Sequence, residues 1–182
     1  MKFFFLICLL MTFSTLAIAD CYISKNGCGI HPEFKTYNSD KFMGPAISSP
    51  GDPAPGLKYI LPSEAIKYIK NPNYVFIDTR PISLFNKCQI RESKNYNYSV
   101  PGNSKNTLTK EIVKKFADAG KTMIFYCNAL KCYRGLNAAI QSYKWGLPAE
   151  KIKWLGKGVP GIVKETKKYR KYVKGKGCSE FK

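Results

Sequence analysis

Two cysteines and an arginine lie close together in residues 123–141, which read MIFYCNALKCYRGLNAAIQ. Cys127 directly follows an apolar, strand-like run, and Cys132 and Arg134 come five and seven residues later. A thiol between a buried strand and a helix lies where backbone N–H groups can converge and where the helix N-terminus adds positive charge. Such a setting lowers the pKa of a thiol. Because Lys131 and Arg134 add formal positive charge, the stretch predicts a thiolate at Cys127 beside a bound anion.

The residues alone leave alternatives open for both cysteines. Cys127 could simply end the strand as a small core residue, since cysteine is among the most buried residue types. Cys132 could resolve an oxidised or persulfidated Cys127 by forming a disulfide within the loop. The two cysteines could also form a permanent disulfide, which would make the domain noncatalytic. Their spacing excludes none of these.

The elements around the cysteines alternate regularly. Val75–Ile77 predicts a buried strand that ends on Asp78, and TMIFYC predicts a second one. We predict a helix in LPSEAIKYIKN, with Ser63 as its cap. A second helix is predicted in LTKEIVKKFADAGK, with Thr109 or Thr107 as its cap and Gly120 as its stop. A third is predicted in GLNAAIQSYKWG, with Gly146 at its C-terminal end. KIKWLGKGVPGIV predicts a strand that leads into a glycine-rich turn, and residues 81–103 read as irregular and polar.

This alternation of strands and helices predicts an α/β fold with a mainly parallel central sheet and helices on both faces. Binding and catalytic sites of such sheets gather beyond the carboxyl ends of the strands. Cys127 is at the carboxyl end of a predicted strand. The predicted fold therefore places it where a site is expected.

The order of these pieces resembles the rhodanese-like superfamily. YVFIDTRP looks like the first core strand of that family with its D-x-R signature, IFYC like the strand before the active-site cysteine, and IKWLGKGVPGIV like the closing segment. FYCNALKCYRGLNAA is especially similar to exported rhodanese-like proteins with a second cysteine followed by an aromatic residue. The resemblance covers residues 57–165 and implies a three-layer α/β domain.

The resemblance also implies a sulfurtransferase. The loop cysteine of the family takes a sulfane sulfur from a donor such as thiosulfate, holds it as a persulfide and passes it to a nucleophilic acceptor. By position, Cys127 is the nucleophile, and Asp78 and Arg80 match the D-x-R signature, for which we expect a structural role. The loop that would bind the anionic donor comprises Asn128, Ala129, Leu130, Lys131, Cys132, Tyr133 and Arg134. No cofactor or metal is expected, and the acceptor is an unknown thiol or other nucleophile.

Three departures from the family pattern limit what can be inferred. The loop from Cys127 to Arg134 is longer than usual and lacks the central glycine, which leaves the pocket size and the substrate open. Related phosphatases need an arginine six residues after the cysteine, and because Tyr133 occupies that position, phosphatase activity is not expected. The usual G-H-I-P-G-A segment is reduced to YSVPGN.

The beginning of the chain predicts export. Residues 1–19 read as a cleaved signal peptide, because a lysine precedes an apolar run of about a dozen residues that ends in Ala-Ile-Ala. A membrane anchor would need roughly 20 apolar residues, and lipid attachment at Cys21 would require a small residue in place of Asp20. We therefore expect a soluble periplasmic or secreted protein, in which residues 20–56 form an N-terminal extension rich in Pro, Gly and Ser.

Six of the seven cysteines follow residue 19, and an even number in an exported chain predicts disulfides. The candidate pairs are Cys21–Cys28, Cys127–Cys132 and Cys88–Cys178, the last of which would tie down the C-terminal tail. His31 lies three residues after Cys28 and, with Cys21, gives three potential metal ligands. Structural zinc sites almost always have four ligands, so we expect no metal here.

The net charge of +18 is concentrated toward the C-terminus, where the last nineteen residues read KETKKYRKYVKGKGCSEFK. We expect residues 166–182 to form a basic tail that is a solvated surface or a fraying helix. The tail could also contact an anionic envelope surface or raise the local concentration of an anionic substrate. Nucleic acid is not an expected partner, because no recognition motif is present. The sequence leaves the oligomeric state open.

Overall fold

The computed structural model describes residues 22–24, 27–29, 57–128 and 132–182. Its centre is a five-stranded sheet built from β3 (Lys58–Tyr59), β4 (Tyr74–Asp78), β6 (Lys94–Asn95), β7 (Thr122–Tyr126) and β8 (Ile152–Leu155). The strand order is β3-β8-β7-β4-β6, and every pair in this sheet is parallel. Two short antiparallel pairs join β1 (Tyr22–Ser24) to β2 (Gly27–Gly29) and β5 (Gln89–Ile90) to β9 (Val173–Lys174).

Side chains of the central strands alternate between two apolar cores. In β7, Met123 and Phe125 point into one core, whereas Ile124 and Tyr126 point into the other. The first core is covered by α3 (Lys110–Asp118) and α4 (Arg134–Lys144), and the second by α1 (Pro62–Tyr68) and α5 (Gly158–Glu165). A shorter helix, α2 (Ile82–Lys87), leads into β5. The sheet with helices on both faces confirms the predicted three-layer α/β fold.

The helix ends agree with the sequence in two cases and differ in one. The Thr109 side chain accepts a hydrogen bond from the Ile112 N–H at 3.4 Å, as a cap of α3 should, and Gly120 follows this helix with φ +72°. Gly146 follows α4 with φ +97°. The predicted Ser63 cap is wrong, because α1 begins after Leu61 with Pro62, which has no N–H to satisfy and a φ suited to the first turn.

Two segments are more regular than predicted. Residues 81–103, expected to be irregular, contain α2, β5 and β6. The expected glycine-rich turn after β8 leads at once into α5, in which Val159, Ile162 and Val163 are buried in the second core. Helical spacing of these three apolar residues explains why the segment folds as a helix despite its glycines and proline.

The basic C-terminal residues 166–182 are folded onto the domain and do not fray, and the Cys88–Cys178 pair that was expected to tie them down is present. Tyr169, Val173 and Cys178 are buried in the second core, and a disulfide joins Cys178 to Cys88 with 4.9 Å between the two Cα atoms. Short 3₁₀ turns flank β9 on either side. The lysines lie on the outside of this segment while the few apolar residues between them are buried, and this burial explains why the segment packs.

Within the described ranges, no helix is long and apolar enough to cross a bilayer. The same ranges contain no group of three or more His, Cys, Asp or Glu side chains that could hold a metal ion. The predicted signal peptide, His31, and the side chains of Cys21 and Cys28 lie outside the described residues. The proposed domain boundaries stay predictions.

Candidate functional site

Cys127 lies directly after β7, the middle strand of the parallel sheet, at its carboxyl end. The neighbouring strand β4 ends beside it, because Asp78 is in register with Tyr126. The Tyr126 carbonyl accepts hydrogen bonds from the Thr79 N–H at 3.0 Å and the Thr79 hydroxyl at 2.9 Å. These bonds hold the residues after β4 next to Cys127, and the D-x-R signature therefore lies at the same edge of the sheet.

Asp78 and Arg80 form a buried ion pair, with side-chain exposures of 0% and 1%. The distance from Arg80 Nε to Asp78 Oδ1 is 2.8 Å, and the distance from Nη2 to Oδ2 is 2.5 Å. Burial by itself would lower the pKa of Arg80, but the hydrogen bonds and negative charge of Asp78 outweigh it and raise the pKa above its usual value. Arg80 therefore stays charged at the carboxyl end of β4, and Asp78 neutralises its charge there.

Arg80 also connects the loop after Cys127 to the disulfide-linked segment. Its Nη1 donates to Asn128 Oδ1 at 2.9 Å, and its Nη2 donates to the Cys88 carbonyl at 2.5 Å. The guanidinium lies 5.9 Å from the centroid of the Tyr126 ring. Because Cys88 is bonded to Cys178, the position of Asn128 depends, through Arg80, on the packing of the C-terminal segment.

The closing glycine segment contacts the backbone of Cys127 directly. The Val159 N–H donates to the Cys127 carbonyl at 3.2 Å. A Cβ atom at Gly158 would lie 2.0 Å from the same oxygen, and Gly158 has φ +52°. Both observations require glycine at this position, because a side chain would push the start of the Cys127 loop out of place.

The two loop cysteines are not joined in a disulfide. Cys127 is only 1% exposed and its thiol contacts the Cys132 carbonyl, whereas Cys132 is half-buried. The pKa of Cys132 is lowered to about 6, mainly by a hydrogen bond from Cys127. Burial opposes the shift. Hydrogen bonds from the backbone N–H groups of Arg134 and Asn128, and the charge of Arg134, lower the pKa further. The lowered pKa thus belongs to Cys132, a residue that the sequence placed in the anion-binding loop.

The remaining predicted loop residues anchor the beginning of α4. Arg134, the first residue of α4, is buried, and its Nη1 donates to Asn97 Oδ1 at 3.0 Å. The Tyr133 ring packs against the Trp154 ring with 6.4 Å between centroids. Ala129, Leu130 and Lys131 lie outside the described residues.

Sequence reasoning missed three groups that shape this site. Asn97 accepts a hydrogen bond from the Arg134 guanidinium, and the Cys88 carbonyl accepts one from Arg80. Gly158 has no side chain, which allows α5 to lie against the Cys127 backbone. The glycine-rich closing segment was a usable signal for Gly158. Nothing in the local sequence marks Asn97 or the carbonyl of Cys88, because both act through contacts between distant parts of the chain.

Comparison with known proteins agrees with this architecture. The family model described as Rhodanese-like domain matches residues 61–165. A yeast protein, Ygr203w, described as a protein tyrosine phosphatase of the Rhodanese family, has 19% identity and a TM-score of 0.51, with coverage of 68% of this chain and 96% of that chain. This likeness supports the fold alone.

Two further solved structures are similar at a lower level. The BH2092 protein from Bacillus halodurans has 20% identity and a TM-score of 0.48, over 65% of this chain and 77% of that chain. The As-Sb reductase from Leishmania major has 24% identity and a TM-score of 0.43, over 55% of this chain and 72% of that chain. No curated protein matches the sequence.

Proposed function

The chain belongs to the rhodanese-like domain family, and from this premise we propose that it is a sulfurtransferase that carries sulfane sulfur on Cys127. The observation that carries the proposal is the position of Cys127, between the carboxyl end of β7 and the beginning of α4. The buried cation of Arg80 contacts Asn128, the next residue of the loop. The N-terminus of α4 favours an anionic sulfur adduct at this place, and the hydrogen bond from Arg80 positions the loop residue next to Cys127.

The proposed reaction has two balanced steps. The Cys127 thiol first passes its proton to the Cys132 thiolate, to which it donates a hydrogen bond. The resulting Cys127 thiolate attacks the outer sulfur of thiosulfate, a new S–S bond forms, and the S–S bond of thiosulfate breaks as sulfite leaves with the electron pair. A nucleophilic acceptor such as cyanide or a thiolate then attacks the outer sulfur of the persulfide and restores the Cys127 thiolate. Cys127 is 1% exposed. The donor must therefore displace neighbouring atoms on entry, which favours small anions.

We place this activity in the periplasm or outside the cell. Residues 1–19 have the pattern of a cleaved export signal. The disulfide between Cys88 and Cys178 supports the same compartment, because disulfides persist mainly in oxidising surroundings.

The test is to incubate the exported protein, after mild reduction, with thiosulfate and cyanide and to measure thiocyanate. We expect turnover, and we expect the mass of one added sulfur atom on the Cys127 peptide when cyanide is omitted. Protein whose thiols were first alkylated is the control and should form neither product. Absence of both thiocyanate and added sulfur on Cys127 would contradict the proposal.

A thiol-redox function is the second candidate, and the lowered pKa of Cys132 favours it. The Cys132 thiolate would attack Cys127 Sγ of the persulfide, form a Cys127–Cys132 disulfide, and release the outer sulfur as hydrosulfide after it takes up a proton. An external dithiol would then reduce the disulfide. Alkylation under native conditions followed by mass mapping distinguishes a redox function from a noncatalytic module. A Cys127–Cys132 bridge that opens readily with mild reductant would support redox chemistry, and a bridge that resists it would support a noncatalytic module.

The pH dependence of Cys132 alkylation is a direct test of this arrangement. We expect the rate with iodoacetamide to rise with pH around a midpoint near 6, because only the thiolate reacts and the pKa of Cys132 is about 6. In a Cys127→Ala variant the midpoint should move upward, because the strongest group that lowers the pKa is lost. If the alkylation midpoint of the unchanged protein were near that of an ordinary thiol, or were the same in both proteins, Cys127 would not lower the pKa of Cys132.

A further inference from the structure

A cavity of about 260 Å³ lies beside the Cys88–Cys178 disulfide, between the C-terminal segment and Arg91. Four of the described residues that line it are cations, namely Arg91, Arg170, Lys174 and Lys176, and none of the described lining residues is acidic. Ser179 adds a hydroxyl group. No described residue of the Cys127 loop contributes to the lining, and Cys127 itself is not part of this cavity.

The fold holds these cations together. The Arg91 guanidinium donates to the Arg170 carbonyl through Nε at 3.1 Å and through Nη2 at 3.0 Å, and the Arg91 N–H donates to the Tyr172 carbonyl at 2.8 Å. The strand that carries Lys174 pairs with β5 immediately before Arg91. Hydrogen bonds and a disulfide thus hold the segment that carries these charges, so less conformational freedom is lost when a ligand binds.

Among the described residues, no ion pair joins an acid to Arg91, Arg170, Lys174 or Lys176. Glu180, which belongs to the same C-terminal segment, instead pairs with Lys87 at 2.7 Å. A hydrogen bond from Arg170 lowers the pKa of Tyr169, and the charge of Lys182 contributes in the same direction, as expected where the electrostatic potential is positive. Cations that a fold holds together repel one another, and a bound anion removes that cost.

We propose that this cavity binds a phosphate- or sulfate-type oxyanion. Arginine offers paired N–H donors that match the oxygens of such a group, and lysine supplies point charges beside it. The volume of about 260 Å³ admits the oxyanion together with a small substituent. The same chemistry is presented by free inorganic phosphate and by the phosphate monoester headgroup of an anionic lipid, and the experiment separates these sources.

The experiment compares two double variants of the exported protein, Lys174→Gln/Lys176→Gln at the cavity and Lys67→Gln/Lys115→Gln as the control. All four lysines are exposed, and both variants remove the same formal charge. One arm measures binding of inorganic phosphate by calorimetry at low ionic strength. The other measures sedimentation with phosphatidylcholine vesicles that contain phosphatidic acid, against vesicles of phosphatidylcholine alone.

We expect binding in at least one arm, weakened about tenfold in the cavity variant, as loss of one to two charge-assisted contacts would produce, and changed less than about twofold in the control. Binding of free phosphate without vesicle binding identifies a soluble ligand. Vesicle binding that phosphate competes away identifies a lipid headgroup. Absence of binding in both arms, or equal weakening in the two variants, would overturn the proposal, and neither result bears on sulfur transfer by Cys127.

Discussion

Replacing Cys127 by Ser is expected to lower the rate of thiosulfate-dependent thiocyanate formation by at least about 10³-fold. A serine hydroxyl is a weak nucleophile at neutral pH and cannot carry a transferable sulfur atom as a persulfide. The substitution changes one buried atom, and the hydroxyl can still donate to the Cys132 carbonyl that contacts the Cys127 thiol. The loss should therefore appear in turnover while thermal unfolding stays close to that of the unchanged protein.

Cys132→Ser is the matched control for this prediction. It removes the other thiol of the same loop, so it should retain turnover within about tenfold if Cys127 alone carries the sulfur. It should also abolish any Cys127–Cys132 disulfide formed after persulfidation. If Cys132→Ser were inactive and Cys127→Ser active, the sulfur carrier would be Cys132, and the assignment to Cys127 would be wrong.

The central layers of the fold could be predicted because they depend on short-range patterns. The runs around Val75–Ile77 and Met123–Phe125 contain enough apolar residues to fill both faces of a parallel strand. Thr109 and Gly120 mark the ends of α3 by their own conformational preferences. These signals need no knowledge of distant residues, and they placed Cys127 at the carboxyl end of the strand, one residue beyond the observed end of β7.

The C-terminal segment could not be predicted in the same way. Its buried residues Tyr169, Val173 and Cys178 are too few and too widely separated by lysines to give a sustained helical or strand period. They pack because β9 pairs with β5, more than eighty residues earlier in the chain, because Cys178 is joined to Cys88, and because the segment lies against α5. The Cys88–Cys178 pair was one candidate among several, and only the three-dimensional arrangement brings the two Cα atoms to 4.9 Å.

The electrostatics of the site depended even more on the three-dimensional structure. The sequence placed the thiolate at Cys127 because basic residues and a helix follow it, and it could not show that Cys127 donates a hydrogen bond to Cys132. The backbone N–H groups that help to lower the pKa of Cys132 belong to Asn128 and Arg134, on opposite sides of the loop. These two N–H groups meet at the Cys132 thiol only in the folded loop, and the spacing of the residues in the sequence does not predict this.

Replacing Asp78 by Asn is expected to lower the free energy of unfolding by about 3–5 kcal/mol, because it leaves the buried Arg80 cation without its counter-charge. Urea unfolding followed by tryptophan fluorescence measures the change. Asp118→Asn is the matched control, since Asp118 pairs with Lys114 at 2.8 Å with side-chain exposures of 62% and 69%. Solvent screens that pair, and its loss should change the free energy of unfolding little.

A second variant separates an unpaired charge from general packing damage. Asp78→Asn combined with Arg80→Met removes the buried cation as well, so part of the lost stability should return. The double variant should still lose sulfur transfer, because no side chain then donates from this position to Asn128 and to the Cys88 carbonyl. Equal stability of Asp78→Asn and Asp118→Asn would show that Arg80 does not depend on Asp78. Restored stability without restored turnover would show that Asp78 neutralises the buried Arg80 cation and that Arg80 positions the loop after Cys127.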